Sequence, residues 1–337
     1  MHKEFIVDEP QRLDKFLSSK LNISRNQIEQ LIKKEYVTVD NKIISKTGLK
    51  LKVDQNIVIK EVSLEKTPLE FSDDELSKID VKIIHEDEHF LVILKPVGLT
   101  VHPAPSVQEP TLVDWLKYKK ISLSTISGEE RHGIVHRLDK GTTGLMVVAK
   151  TNDAHSALSS QLEDKSMGRY YIALIDMPLK DDVVVQKAIA RNPSNRLKMA
   201  IVPQGKSAKT AFKKILLPRE ISNKNYELIA AKLFTGRTHQ IRVHLESIGR
   251  HILGDDLYGF KSKGANINRI YLHAYCLYLK HPISGKDLEF MSPIPDEFRQ
   301  ILNNEFDKDK IDEILTKDHI SSSFASLDGW MQSLSKS

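Results

Sequence analysis

The segment 136–150 constrains the fold of this chain more than any other part of its sequence. Residues 145–149 form a continuous apolar run rich in valine, which is typical of a strand buried on both faces. The Gly-Thr-Thr-Gly stretch at 141–144 cannot continue a helix and predicts a tight turn leading into that strand. A carboxylate, Asp139, follows Arg137 just before the turn. A loop fixed by a buried strand is a common place for chemistry, and a solvated turn with a surface ion pair is the alternative.

The string His-Arg-Leu-Asp-Lys-Gly-Thr-Thr-Gly at 136–144 resembles the active-site motif of the pseudouridine synthases that modify RNA, in the branch acting on large-subunit ribosomal RNA. One position departs from the family pattern, because Gly141 stands where an aspartate is expected. The glycine removes a carboxylate next to Asp139 and adds backbone freedom. The resemblance implies that Asp139 is the catalytic carboxylate, and that Arg137 stacks into the space left by an extruded base.

Composition narrows the class of protein. A chain of 337 residues that is 40% hydrophobic is expected to form two or three packed domains. The single cysteine, Cys276, excludes a disulfide framework and a thiolate metal cluster, and we expect it to be a small buried side chain. No apolar run approaches the ~20 residues that span a bilayer, and residues 1–10 lack a secretion signal. These features predict a soluble, cytoplasmic protein.

Positive charge concentrates in residues 11–60, which carry eleven Lys and Arg against five Asp and Glu, while the whole chain has a net charge of +5. Apolar spacing predicts a first helix near 12–21 and a second helix over 25–34, with Ser24 as the N-cap of the second. Residues 36–39 alternate like a strand, and the chain then turns and returns over 42–44.

This helix–helix–hairpin unit resembles the small RNA-binding module named after the S4 ribosomal protein. The resemblance rests on Ser-Arg-x-x-Ile-x-x-Leu-Ile at 24–32 and on Val-Thr-Val-Asp-Asn-Lys at 37–42. It implies RNA binding, since clustered cations on a compact module are what phosphate contacts require, and the alternative is a solvated basic face. The cations expected to contact RNA are Arg25, Lys33, Lys34 and Lys42.

The rest of the chain divides into three predicted parts. Residues 61–78 turn acidic and lack an apolar period, which predicts a flexible or loosely packed linker. Residues 79–303 form the predicted catalytic domain. Residues 304–337 are mixed in charge and rich in serine, and we assign this tail no role, although Ile311, Ile314 and Leu315 allow one helical turn.

Strand patterns dominate the predicted catalytic domain. Helices are predicted at 111–119 and 152–162, and strands at 81–84, 90–94, 145–149, 169–175, 183–190, 198–202, 209–216, 226–233, 272–279 and 288–291. This succession predicts an α+β fold with a large mixed, mainly antiparallel sheet flanked by helices, beside the small N-terminal α/β RNA-binding domain. The resemblance implies the pseudouridine synthase fold. The basic loop 191–198 either meets the RNA backbone or is a solvated hairpin tip.

The string 85–89 formally matches His-Glu-x-x-His, the zinc-protease motif. That motif requires a helix, so that His85 and His89 share one face, whereas β-branched and aromatic residues here flank a charged turn. We therefore favour a strand–turn–strand over a zinc site. The next segment, 95–103, contains two prolines and a glycine and resembles the first conserved segment of the family. We expect it to buttress the active site.

Two adjacent tyrosines, Tyr170 and Tyr171, lie in the predicted strand 169–175 and should point to opposite faces of the sheet. The family resemblance implies that Tyr171 lines the active site, where it packs on the base and accepts the ring proton. A plain core tyrosine is the alternative.

A helix is predicted to start after Gly236, with Thr238 as its N-cap. Arg237 then lies at the mouth of this helix, among free backbone N–H groups that attract anions. The segment resembles the third family motif, in which an arginine contacts the catalytic aspartate. The resemblance assigns that role to Arg242, one helical turn beyond Thr238, and Arg237 is the second choice.

Together these resemblances imply a pseudouridine synthase that isomerises uridines in large-subunit ribosomal RNA, with Asp139, Tyr171 and Arg242 as catalytic residues. Isomerisation gains no atom and changes no oxidation state, so we expect no cofactor and no metal. The expected partner is ribosomal RNA or a pre-ribosomal particle, with no membrane, and the chain is expected to be a monomer. The alternative is an RNA-binding ribosome-assembly factor with an inactive synthase domain, for which Gly141 is the only argument.

Overall fold

The computed structural model describes residues 2–21, 25–60, 71–104, 106–126, 132–217, 226–261, 267 and 269–324. The chain separates into two compact units with the boundary between Glu70 and Phe71. No helix in the described residues is long and apolar enough to cross a membrane.

The first unit combines two helices with a four-stranded antiparallel sheet. Its elements are β1 (His2–Ile6), α1 (Leu13–Leu21), α2 (Arg25–Lys33), β2 (Val37–Val39), β3 (Lys42–Ile43) and β4 (Asn56–Lys60), in the strand order β1-β4-β2-β3. The helices bury their apolar stripes, including Phe16, Leu17 and Ile28, against the sheet. Both predicted helices and the hairpin are confirmed, and Ser24 lies outside the described residues. The strands β1 and β4 were not predicted.

The β2–β3 turn is tight although it contains no glycine. Asp40 and Asn41 adopt left-handed backbone angles, with φ of 48° and 62°. Positive φ at both central residues matches the twist of the two strands, and Asp and Asn tolerate this region better than most residues. The Asp40 carboxylate also accepts hydrogen bonds from the Asn56 N–H and the Gln55 amide, which fix the turn against β4.

The second unit is built on a nine-stranded sheet among its described residues. The strands of the whole unit, two of which lie outside this sheet, are β5 (Lys82–Glu86), β6 (Phe90–Lys95), β7 (Thr143–Ala149), β8 (Gly168–Ile175), β9 (Val183–Gln186), β10 (Ile189–Arg191), β11 (Met199–Ile201), β12 (Lys209–Leu216), β13 (Glu227–Leu233), β14 (Leu272–Lys280) and β15 (Asp287–Met291). The sheet order is β5-β6-β7-β14-β8-β13-β12-β9 with β15 on β14, and β10 and β11 form a separate hairpin. Among the described strands, β7 and β14 are the one pair that runs in parallel, so the predicted mixed, mainly antiparallel sheet is confirmed.

The second unit also contains helices, some between its strands in the sequence and some after the last strand. They are α3 (Asp73–Ser77), α4 (Leu112–Tyr118), α5 (Asn152–Asp164), α6 (Gln240–Glu246), α7 (Asp296–Glu305), α8 (Lys308–Ile314) and α9 (Lys317–Ser323). Thr111 and Thr151 cap α4 and α5 by accepting hydrogen bonds from backbone N–H groups of the first turn. These two helices were predicted, and the structure confirms them.

The predicted strand 183–190 is wrong in its length, because it divides into β9 and β10. β9 pairs with β12 in the large sheet, and β10 pairs with β11 in the small hairpin. The polar residues Gln186 and Lys187 interrupt the apolar run where the chain changes direction, but two polar residues are too short a signal to divide a strand.

The predicted linker is wrong in its second half, and residues 61–70 lie outside the described residues. Ser72 and Glu75 form a reciprocal capping box that opens α3, and Leu76 is buried. The acidic cluster Asp73, Asp74 and Glu75 is the first turn of this helix, where negative charge is stabilised by the helix dipole. Acidity in this segment therefore marked a helix start and not a flexible tether.

The described part of segment 304–337, to which we assigned no role, packs into the second unit. Phe306, Ile311, Leu315, Ile320 and Phe324 are buried in the main core of the second unit. The Tyr275 hydroxyl on β14 donates a hydrogen bond of 2.6 Å to the Leu315 carbonyl. The three helices α7–α9 thus belong to the catalytic unit, and residues 325–337 lie outside the described part.

The His85–His89 string forms the strand–turn–strand that we favoured. His85 lies on β5, so the two histidines do not share a helix face. The Asp87 carboxylate shapes the turn by accepting hydrogen bonds from the N–H groups of His89 and Phe90. In the described residues, no group of three or more His, Cys, Asp or Glu is arranged to hold a metal ion. The zinc-peptidase alternative therefore has no geometric support.

Candidate functional site

The turn before β7 presents Asp139 at the centre of the second unit. The Thr142 N–H donates to the Asp139 carbonyl over 3.0 Å, which closes the turn. Gly144 follows with φ of 122°, and a Cβ there would lie 2.3 Å from the Ala274 carbonyl oxygen. Only glycine therefore permits the close parallel approach of β7 to β14 that anchors the turn.

Gly141, the position that departs from the family motif, is packed against a neighbouring side chain. A Cβ at this position would lie 2.8 Å from the Ile270 Cδ1 atom. Ile270 therefore limits the space into which a side chain at 141 would extend. The turn keeps Asp139 in place without an aspartate at 141.

Lys95 connects the turn to the preceding proline-rich loop. Its ammonium group is fully buried and donates to the carbonyls of Pro96, Leu99 and Lys140 at 2.8, 2.9 and 3.4 Å. Burial lowers the pKa of Lys95 to about 7, although the nearby Asp139 carboxylate works in the opposite direction. Segment 95–103 thus buttresses the Asp139 loop, as expected, and it does so through a buried cation that the sequence analysis did not single out.

Arg242 on α6 joins two carboxylates. Its Nε and Nη2 atoms each lie 2.7 Å from an oxygen of Asp255, and its Nη1 atom lies 3.4 Å from the Asp139 Oδ2 atom. Burial works to lower the pKa of Arg242, but the hydrogen bonds and charge of Asp255 outweigh it and raise that pKa. The predicted proximity of Arg242 to Asp139 is therefore confirmed, while its main partner is Asp255.

The predicted start of α6 is wrong. His239 enters the helix with a left-handed φ of 55°, and Thr238 does not cap it. The reason is the Gln240 side chain, whose oxygen accepts from the Arg237 N–H at 3.0 Å and from the Thr235 hydroxyl at 2.7 Å. These hydrogen bonds hold the loop before α6 in place of the N-cap bond that we predicted for Thr238.

An aromatic ring fixes Arg242 from one side. The Tyr258 ring centroid lies 4.8 Å from the guanidinium carbon of Arg242, and its hydroxyl lies 2.8 Å from the His239 Nδ1 atom. Burial raises the pKa of Tyr258 to about 12, so its hydroxyl stays neutral and provides a hydrogen-bond donor. The Nε2 atom of the same His239 lies 4.0 Å from the Asp139 Oδ1 atom. Asp139 is thus approached by a guanidinium and an imidazole.

The two adjacent tyrosines of β8 point to opposite faces, as predicted. Tyr171 lines the cleft that contains Asp139, whereas Tyr170 stacks on Phe324 at a centroid distance of 5.3 Å. Burial raises the pKa of Tyr171, Arg169 lowers it and Asp139 raises it. The net effect is a neutral phenol in the cleft.

The cleft has a volume of about 880 Å³ and is lined by segments around Asp139, Tyr171 and Arg242. Arg137 and Arg237 are both exposed on its lining, and the Arg237 Nε atom donates to the Ser207 carbonyl at 3.1 Å. All the site residues predicted in the second unit therefore meet at one cleft.

The predicted RNA-binding cations of the first unit are on its surface where they can be described. Lys33, Lys34 and Lys42 are exposed, and Lys33 pairs with Glu29 at 2.8 Å one helical turn away. The side chain of Arg25 lies outside the described residues. Their part in RNA binding stays a prediction.

Sequence reasoning missed four residues of this site: Lys95, Arg169, Tyr258 and Asp255. A signal existed for two of them, because Asp255 and Tyr258 lie in a Gly-Asp-Asp-Leu-Tyr-Gly turn that resembles the family. Lys95 opens the proline-containing segment 95–103, which was singled out as a whole and not for this cation. Arg169 lies near the start of an apolar strand, and nothing in its neighbours distinguishes it from a surface residue.

Comparison with known proteins places this geometry in context. A family model described as RNA pseudouridylate synthase matches residues 89–247, and one described as S4 domain matches residues 11–57. An uncharacterized RNA pseudouridine synthase of Helicobacter pylori is 45% identical over 328 residues, which cover 96% of this chain and 99% of the relative. The ribosomal large subunit pseudouridine synthase D of Zymomonas mobilis is 38% identical over 300 residues, which cover 86% of this chain and 92% of the relative.

A solved structure shares the fold over most of the chain. The human RNA pseudouridylate synthase domain containing 1 aligns with a TM-score of 0.52 and 23% identity, covering 71% of this chain and 98% of its own. At this identity the likeness speaks for the fold alone.

Proposed function

The chain belongs to the RNA pseudouridylate synthase family and is an RNA pseudouridine synthase, and from that premise we propose that it isomerises specific uridines of large-subunit ribosomal RNA. The relative named ribosomal large subunit pseudouridine synthase D supports the choice of substrate. The observation that carries the proposal is Asp139, held 3.4 Å from Arg242 at a cleft lined by exposed cations.

The reaction rearranges one nucleotide without an outside reagent. The bond between the base nitrogen N1 and the ribose carbon C1′ breaks, the uracil turns, and its C5 carbon bonds to C1′. The proton on C5 leaves, and N1 gains one, so atoms and electrons balance. Positive character develops at C1′ when the first bond breaks, and a carboxylate nearby stabilises it.

We assign that carboxylate to Asp139. Its side chain is 15% exposed, so an oxygen remains accessible from the cleft. Asp139 acts either as a nucleophile at the ribose or as a base, and both roles need it oriented toward the sugar. Arg242 provides the orientation, because its own position is fixed by two short bonds to Asp255.

Tyr171 supports the base in this scheme. Its ring lies in the cleft and its raised pKa keeps it a neutral phenol, which suits packing against uracil. To accept the C5 proton, the hydroxyl must pass on its own proton, which makes it a relay and not a strong base.

The target nucleotide must leave its stack to reach Asp139, at a cost of a few kcal/mol. Arg137 is exposed two residues before Asp139, and its planar guanidinium is suited to stack in the vacated space. The first unit adds cations for phosphate contacts, with Lys33, Lys34 and Lys42 exposed. We propose that one chain suffices as a monomer, since a single chain supplies all these cleft residues, and that it works in the cytoplasm.

The test is to incubate the protein with unmodified large-subunit ribosomal RNA and to map pseudouridine at each position. The wild type should modify a few discrete uridines, and Asp139→Asn should modify none while it still binds RNA. Asp181→Asn, an exposed carboxylate outside the cleft lining, is the matched control and should retain turnover.

Two results would contradict the proposal. Turnover by Asp139→Asn would remove this carboxylate from the mechanism. RNA binding by the wild type without any pseudouridine would favour the alternative of an assembly factor with an inactive synthase domain.

A further inference from the structure

Arg169 is a buried cation in the cleft that has no carboxylate partner among the described residues. Its residue is only 6% exposed and lies on β8, two positions before Tyr171, on the same face of the strand. It lines the cleft, but it forms no ion pair with any residue that the structure describes. Its Nε atom is buried and has no hydrogen-bond partner in the described part of the chain.

Among the residues that the structure describes, Arg169 makes one hydrogen bond, and the acceptor of that bond must also serve a second donor. Its Nη1 atom lies 2.8 Å from the Nδ1 atom of His136, while the Nε2 atom of the same ring lies 3.1 Å from the Val147 N–H. Both partners are donors. Burial, together with the charge of Arg169, lowers the pKa of His136, so the ring is neutral and has one nitrogen that can accept. His136 therefore cannot satisfy Val147 and Arg169 at the same time.

Gly236, which has no side chain, lies next to the Arg169 guanidinium. A Cβ on Gly236 would lie 3.4 Å from the Arg169 Nη2 atom, which is already at the limit of ordinary contact. The absence of a side chain at this point leaves space around the fork of donors. A buried guanidinium with free donors and no counter-charge is costly in a folded protein unless a ligand supplies the charge.

Resting on the proposed function, we infer that Arg169 is the receptor for a backbone phosphate of the RNA strand, close to the extruded uridine. A phosphate brings the negative charge that no described residue supplies to Arg169 as an ion pair, and its oxygens match the fork of guanidinium donors. The spacing along the strand is consistent with this role. Residues two apart on a strand are about 6.6 Å apart, which places Arg169 beyond the Tyr171 ring that packs on the base. When phosphate binds, His136 is released to accept from Val147 alone.

This role differs from that of a structural arginine in one measurable way. A structural arginine stabilises the free protein, so its removal lowers stability. An unpaired buried cation destabilises the free protein, so Arg169→Met should leave the midpoint of urea unfolding unchanged or raise it. The same substitution should weaken RNA binding about 10- to 100-fold, as expected for the loss of a charge-assisted pair.

The decisive experiment is phosphate-ethylation interference on large-subunit ribosomal RNA. Randomly ethylated RNA is partitioned into bound and free fractions, and the neutralised phosphates that prevent binding are read by sequencing. Wild type, Arg169→Met and Arg169→Lys are compared, with Lys286→Met as the matched loss of an exposed cation outside the cleft lining. We expect one phosphate to lose its interference in Arg169→Met and to keep it in Lys286→Met and, in part, in Arg169→Lys.

Each other outcome decides the question. An unchanged interference pattern in Arg169→Met overturns the inference, even if affinity falls, because the arginine then contacts a base or the protein. A lowered unfolding midpoint overturns it in favour of a structural role. If the wild type makes no pseudouridine but the Arg169-dependent phosphate is present, the proposed function fails and this inference stands. If the wild type binds no RNA, both fail.

Discussion

The two carboxylates of Arg242 should contribute very differently to stability. Asp255 is 1% exposed and makes two bonds of 2.7 Å to the guanidinium, whereas Asp139 is 15% exposed and makes one contact of 3.4 Å. Breaking a buried pair by neutralising one partner costs about 3–5 kcal/mol, because the other charge is left unpaired. Losing a long contact at the cleft surface costs about 1 kcal/mol or less.

The perturbation is a pair of identical substitutions, Asp255→Asn and Asp139→Asn. An asparagine at 255 offers one oxygen, and its NH₂ group faces the guanidinium donors. With a urea slope of about 3 kcal/mol per molar, the midpoint should fall by about 1–1.7 M for Asp255→Asn and by less than about 0.4 M for Asp139→Asn. Trp115 is buried in the second unit, so its fluorescence follows the unfolding of that unit.

A double substitution provides the control. Arg242→Met with Asp255→Leu removes both charges together, so it should be less destabilised than the sum of the two single variants. It should nevertheless be inactive, because Asp139 has lost its positioning partner. Equal midpoint shifts for Asp255→Asn and Asp139→Asn would refute the division of labour that we assign to Arg242.

Four further results are expected. The pKa of Lys95 is about 7 in the folded protein and 10.5 ordinarily, so between these values the unfolded chain binds one more proton and stability rises with pH. The difference in the free energy of unfolding between wild type and Lys95→Met should therefore change by up to about 1.4 kcal/mol per pH unit from pH ~7 to ~9.5. Parallel curves of stability against pH for the two proteins would contradict this. Gly141→Asp should cost about 1–3 kcal/mol by overpacking, and Ile270→Ala should recover part of it in urea unfolding. Phe324→Ala should cost about 3 kcal/mol in the same assay, and a negligible loss would mean that α9 does not complete the core. Deletion of residues 1–60 should weaken RNA binding and flatten its dependence on salt, measured by titration at several salt concentrations.

Local patterns predicted the elements of this fold well, because the spacing of apolar residues reflects which faces of a helix or strand are buried. The 145–149 run is β7, buried along its whole length, and the spacing of Ile28, Leu31 and Ile32 is the buried stripe of α2. The pattern failed where tertiary context decides. The acidic residues of α3 and the serine-rich tail have weak apolar signals, yet Leu76 and Phe324 are buried, and only the surrounding core explains that.

The candidate site was predictable only as far as the motif extends along the chain. Asp139 and Arg242 lie in strings that resemble family motifs, and the structure brings them to 3.4 Å. Asp255 lies thirteen residues beyond Arg242 in a different turn, and its bidentate contact depends on how that turn packs. Charge partners of this kind arise from the fold and leave no fixed spacing in sequence.

The balance of buried charge around Asp139 unites these observations. Four cations are each less than 10% exposed: Lys95, Arg169, Arg242 and Arg269. Among the described residues, Arg242 is the one of these four that pairs with a buried carboxylate, that of Asp255. Arg269 pairs with Glu297 at the surface, Lys95 relies on carbonyl oxygens, and Arg169 relies on a histidine that must serve two donors. A protein folded for stability would neutralise such sites, because unpaired buried cations oppose folding. Lys95 and Arg169 have no carboxylate partner among the described residues, and a bound polyanion would supply the missing negative charge. Substitutions that make this cleft more stable should therefore make it a poorer receptor for RNA.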